Sequence, residues 1–194
     1  MSDPEETFYT EERWQNWLDR VADQELDPED EESARLLLNL QDDAAIAVAK
    51  IVRAFEDDRL DEDAAVEEVA SVRDVVLAEV TMDDEETAML IDGVQTSLVP
   101  VFYAAEEYVV GGTPGEGTVA EYVEAAADAE AGDDVDAALG YLVQAGTLIV
   151  DGAELPIELA EELEYGLVSE WVNGLDSLQT AMADPEVVEE DDEE

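Results

Sequence analysis

Fifty-six aspartate and glutamate side chains against seven lysines and arginines leave this chain with a formal charge of −49. In dilute buffer so much like charge opposes compaction. At molar salt the Debye length falls to about 3 Å and the repulsion is largely screened. Apolar residues make up 46% of the chain, enough for a core, so the charge does not by itself imply disorder. The combination predicts a folded protein of an extreme halophile's cytoplasm, with the acid serving solvation. Its single lysine, Lys50, fits that habitat.

Composition also removes function classes. Without cysteine there are no disulfides and no thiol chemistry. Without histidine the commonest general base and metal ligand is missing. The last cation is Arg73, so residues 74–194 offer no cationic side chain to a phosphate. Direct nucleic-acid binding is therefore not expected. No unbroken apolar run reaches the ~18 residues of a membrane span, and Met1 to Glu6 is acidic without a signal-peptide pattern. A cytoplasmic protein with no membrane association is expected.

All eleven glycines lie at or after Gly93, which predicts long uninterrupted helices in the first 92 residues. Thr10 is a candidate N-cap, with Glu11 and Glu12 favoured in the first turn. Trp14, Trp17, Leu18 and Val21 then form one apolar stripe. Asp27 and Pro28 read as the start of a second helix running to about Asp57. On it Arg35, Asp42, Asp43, Ile46, Lys50 and Arg53 share a polar arc, and Gln41 falls inside a wide apolar arc. Asp61 caps a third helix, and Thr81 with Asp84 resembles a capping box for a fourth. Ile91, Val94, Leu98, Val101, Ala105 and Tyr108 make its seam, with Pro100 on the other face, where it should bend the helix.

Gly111 to Gly117 reads as a linker, and it lacks the Gly-Lys-Ser/Thr ending of a phosphate loop. Thr118 with Glu121 is a second capping box. A helix after Gly132-Asp133 should bury Val135, Ala138, Leu139, Leu142, Ala145 and Ile149. Pro156 opens one last long helix with a seam from Leu163 to Met182. The fold class that follows is all-α, a bundle of about seven helices in two halves. The halves are 1–110 and 118–183, joined at 111–117, and residues 184–194 form a disordered acidic tail.

Carboxylates are the only abundant catalytic material. Asp57, Asp58, Asp61, Glu62, Asp63 and Glu68 approximate a calcium loop, but Arg59 takes the third position and Glu62 the glycine position. Glu121-x-x-Glu124 and Glu161-x-x-Glu164 have the spacing of magnesium-binding pairs in all-helical nucleotide pyrophosphatases, without cations nearby for a polyphosphate. Neither implies a cofactor or a metal.

Ala131 to Ala145, with its Gly-Asp turn, Ala138, Tyr141 and Ala145, resembles the turn and second helix of a tetratricopeptide repeat, its aromatic displaced by one position. With no second copy visible, the resemblance implies one helical hairpin at 118–149 and no array. The segments Glu11 to Leu18 and Ser33 to Asp43 resemble a family of acidic haloarchaeal proteins known only as a domain of unknown function. That resemblance covers most of the chain and implies no activity or site residues.

By elimination the chain reads as a non-catalytic interaction or regulatory module with an unidentified protein partner. A small carboxylate-magnesium enzyme and an acidic nucleic-acid mimic that binds a basic protein are the alternatives. Phe8, Tyr9, Trp14 and Trp17 are the candidate partner-binding residues, since clustered aromatics are favoured in interface hot spots. Core packing at one end of the bundle explains the same four rings.

The charge generates the first prediction. The melting temperature should climb steeply between about 0.1 and 2 M potassium chloride as the screening length shrinks. A flat profile over that range would sink the halophilic reading.

Overall fold

The computed structural model describes residues 8–27 and 29–183. Among the described residues there are eight helices and no strand: α1 (Glu11–Ala22), α2 (Glu31–Glu56), α3 (Glu62–Val76), α4 (Glu85–Gly111), α5 (Val119–Ala131), α6 (Val135–Val150), α7 (Ile157–Glu162) and α8 (Leu167–Ala183). The expected acidic tail and Pro28 lie outside the described residues.

Several helix starts follow directly from local chemistry. The Thr10 and Asp61 side chains accept from the backbone N–H of Arg13 and Ala64, so each satisfies one orphan donor of its helix. Thr118 and Glu121 form a reciprocal capping box at α5. Two starts differ from expectation. α2 begins after Asp30, because Asp27 closes a tight turn of its own by accepting from Glu29 N–H at 2.9 Å. α4 is capped by Asp84 and not by Thr81; one Asp84 carboxylate oxygen accepts from both the N–H and the hydroxyl of Thr87.

The longest helices, α2 and α4, form the centre. α4 is enclosed by α2, α3, α6 and α8, and it runs unbroken through Pro100, which is buried. By length and composition α4 could cross a membrane although its sequence is no continuous apolar run; here half of its most apolar stretch is buried in the bundle. Helices on both sides of the 111–117 connection contribute to one core, with α6 and α8 packed on α4 and α8 also on α2. The connection leaves α4 through Gly112 at φ 72°, a conformation that suits glycine.

The expected single C-terminal helix is two. After α7 the chain extends at Leu163 and restarts at α8, where Glu130 of α5 accepts from Leu167 N–H at 2.7 Å. A side chain from another element thus satisfies one donor of this new helix start. α6 buries Ala138, Leu142, Ala145 and Ile149 of its expected face, but Val135 is exposed and Leu139 half-buried, while Gly146, Thr147 and Val150 also face inward. The α5–α6 hairpin is present, and Tyr141 is exposed on it.

Two glycines set how closely the helices approach α4. A Cβ on Gly174 would lie 1.7 Å from the Ser97 carbonyl oxygen, and one on Gly146 would lie 2.4 Å from the Ala104 Cβ. Beside the first crossing sits a buried polar node. Gln41, 4% exposed, donates to the Ser177 hydroxyl at 2.9 Å and accepts from the Ser97 hydroxyl at 2.7 Å. It thereby ties α2, α4 and α8 together, as its place in the apolar arc required of a buried amide.

Gly174→Ala should destabilise the fold by about 3 kcal/mol or more, the upper range for overpacking, because backbone has to move. Gly93→Ala, on the same α4 but with nothing within 4 Å of the added methyl, should stabilise by about 0.5–1 kcal/mol. Gln41→Ala should cost about 1–3 kcal/mol by stripping the partner from buried hydroxyls. Chemical denaturation at molar salt checks all three.

Candidate functional site

Of the four aromatic residues singled out in the sequence, Trp17 hydrogen-bonds to one buried carboxylate and Tyr9 lies beside it, while Trp14 is buried in the core and Phe8 packs against it. Asp43, on α2, is only 2% exposed. It accepts from Arg13 Nε at 2.8 Å and Nη2 at 2.5 Å, and from Trp17 Nε1 at 2.8 Å. The fork of the guanidinium matches both carboxylate oxygens, which is why the pair tolerates burial of the acid. Tyr9 and Trp14 are buried; Phe8 and Trp17 are half-buried. Burial first, and then the Asp43 charge, holds the Tyr9 phenol well above its usual range. Its hydroxyl makes no hydrogen bond of normal geometry. Arg20 lies 4.9 Å over the Trp17 ring, covering its outer side. The rings therefore fasten α1 to the bundle and leave no continuous open aromatic surface.

This clasp could not be read from the sequence, because Asp43 falls on the polar arc of α2. The arc is polar in composition but is partly roofed by α1, so Asp43 and Ile46 are buried on it.

The acidic run between α2 and α3 is occupied with helix ends. Asp57 is the C-cap of α2, Asp58 adopts φ 58°, and Asp61 caps α3. Among the described residues no group of three or more acidic side chains is placed to hold a metal ion. Glu121, from the first candidate magnesium pair, is likewise engaged in capping α5.

Among the open depressions are two between helices. A groove of about 860 Å³ lies under α1, against α3 and the segment leading into α4. Trp14, Leu18, Val75, Val80 and Met82 supply its apolar lining, amid acidic residues on every side. A second groove, about 590 Å³, runs between α4 and α6. Val66, Tyr103, Val110, Leu139 and Val143 line it, with Glu106, Glu107 and Asp136 among its polar residues. Tyr103 is 40% exposed and Val110 61%. Arg73 stands 5.5 Å over the Tyr103 ring and pairs with Glu106 at 2.5 Å. Burial raises the Glu106 carboxyl, with Arg73 opposing that rise and Asp74 adding to it.

Over residues 7–191 the chain matches the sequence model of DUF2150, described as an uncharacterized protein conserved in archaea. The chain belongs to that family. No curated protein matches it, and no solved structure does. DUF2150 membership agrees with the resemblance carried by the α1 and α2 segments and adds no activity to it.

The clasp should respond asymmetrically to mutation. Arg13→Ala leaves a buried carboxylate with Trp17 as its main donor and should cost about 3 kcal/mol or more. Asp43→Asn, which leaves no buried charge, should cost less. Both should shift tryptophan emission to the red as Trp17 becomes wetter.

A pH effect follows from Tyr108, whose phenol is pushed up to about 12, by burial first and then by its hydrogen bond to Glu56. A raised phenol favours the protonated folded state. Its contribution is present in full below the ordinary value of 10.0 and is lost as pH rises through about 12. Tyr9 acts in the same direction. Stability should fall across that window, and Tyr108→Phe should lessen the fall in a denaturation series.

Proposed function

We propose that this DUF2150 chain is a non-catalytic protein-interaction or regulatory module of a halophilic cytoplasm. The observation that carries the reading is a pair of long uncharged helix stretches, partly open to solvent and bordered by carboxylates, on an acidic molecule. α6 is packed against α4, α5 and α8, yet from Ala137 to Val150 it carries no charged residue. α4 likewise has none from Gly93 to Ala105. Burial accounts for the residues that face inward. It does not account for Gly140 and Tyr141, which are exposed, or for Val143, Gln144 and Leu148, which are half-buried.

Elsewhere the acid solvates the surface, and 32% of the chain is charged. A surface selected only for solvation at high salt has no reason to stop along α6. A surface kept for a protein partner does, since interface centres are depleted in charge and enriched in aromatics. The partner is a protein, because the walls of this groove offer apolar area, a tyrosine and carboxylates but no cation, and the neighbouring Arg73 is already engaged.

The test is site-specific photo-crosslinking at molar potassium chloride in lysate of a halophilic archaeon. The crosslinker replaces Val110 in the groove or, as a control, Met89, which is 73% exposed and outside it. A protein adduct found at Val110 and absent at Met89 is the expected result. Identical adducts at both positions, or none at Val110, would overturn the reading.

A further inference from the structure

Resting on that interaction reading, we infer that the α4–α6 groove takes an amphipathic helix of the partner, with a short apolar stripe flanked by lysine or arginine. The dimensions come first. Tyr103 and Val110 on α4 are seven residues apart, as are Asp136 and Val143 on α6, so each wall is about 10 Å long at ~1.5 Å per residue. That is two helical turns, the span of anchors at positions i, i+3 or i+4, and i+7.

The walls are prepared for such a guest. Arg73 holds the Tyr103 ring from one side while its guanidinium is neutralised by Glu106, so the aromatic wall is set before anything binds. Preset rings give area at little cost in lost freedom.

Charge then selects the flanks. No cation lines the groove and the neighbouring Arg73 is already paired, while Glu107 on α4 and Asp136 on α6 form no ion pair among the described residues. Each helix therefore presents one open carboxylate at the groove. At molar salt only charges in near contact matter, because screening acts within about 3 Å. A guest with cations beside its apolar stripe meets both carboxylates. A second copy of this chain does so poorly, since a symmetric pairing returns the same two carboxylates to the contact.

The experiment uses the full chain and three fluorescent peptides of about 18 residues, long enough to form a helix. One has a leucine stripe with lysine flanks, one the same stripe with glutamate flanks, and one lysine flanks with serine in place of leucine. Anisotropy is read in about 1 M potassium chloride. The lysine-flanked leucine peptide should bind at least about tenfold more tightly than either other peptide. Tyr103→Ala with Val110→Ser, two exposed positions, should remove that binding and leave the melting temperature nearly unchanged. Glu107→Gln with Asp136→Asn should erase the preference between lysine and glutamate flanks.

Equal binding of the two leucine peptides would overturn the basic-flank assignment while the crosslinking result still stood. Absence of binding, or binding indifferent to the Tyr103 and Val110 substitutions, would overturn the groove as a helix site. Sedimentation of the chain alone gives a further outcome: a dimer abolished by Val110→Ser would assign the groove to a second copy and overturn the proposal.

Discussion

Helix α4 has to be approached by nearly bare backbone, and the arrangement of its neighbours depends on that. Gly174 lets α8 come down on the Ser97 carbonyl, and Gly146 lets α6 settle on Ala104. Side chains at either place would hold the helices apart and open voids that the surrounding alanines and valines could not fill. The Gln41 node stands beside the first crossing. With hydroxyls from α4 and α8 bonded to one amide of α2, it penalises any slip of the three helices along each other. The groove between α4 and α6 owes its shape to the same crossings, since α6 cannot rotate about Gly146 without clashing.

How much of this is written locally varies by element. Thr10, Asp61 and the Thr118–Glu121 box are short-range chemistry, and each marks its helix start correctly. Gln41 is also legible, because an amide amid leucines and alanines on a wide apolar arc has nowhere to go but inward. The failures share a cause. The break between α7 and α8 depends on Glu130, 37 residues upstream of the N–H it caps. The burial of Asp43 depends on α1 folding across α2. The end of α3, for which the sequence set no boundary, is likewise held from afar, by Gln95 of α4 donating to the Val76 and Ala78 carbonyls. Long-range caps of this kind replace local signals, so periodicity alone misplaces the boundary.

The candidate site shows the same division. Concentrating Phe8, Tyr9, Trp14 and Trp17 in ten residues is visible at a glance, but whether rings face out or in is a tertiary matter. Here Tyr9 and Trp17 meet a buried carboxylate, and all four rings pack into or against the core. The groove left its trace as an absence: a stretch of α6 without charge looks like an ordinary core helix until packing shows that one side is uncovered.

The few cations are not spread evenly over their tasks. Arg13 joins α1 to α2, Arg73 joins α3 to α4, and Arg53 donates to the Met182 carbonyl at the end of α8. For a chain of this kind the usual rules of surface drift are inverted. Most carboxylates are interchangeable members of a crowd, and lineages can exchange or lose them one at a time with little structural consequence. Each of these arginines is a singular fastening between helices, and lysine cannot reproduce the forked geometry at Asp43. The slowest-changing outward positions of such a protein would then be its rarest residues, and the acid that dominates its composition would be its least informative signature of descent.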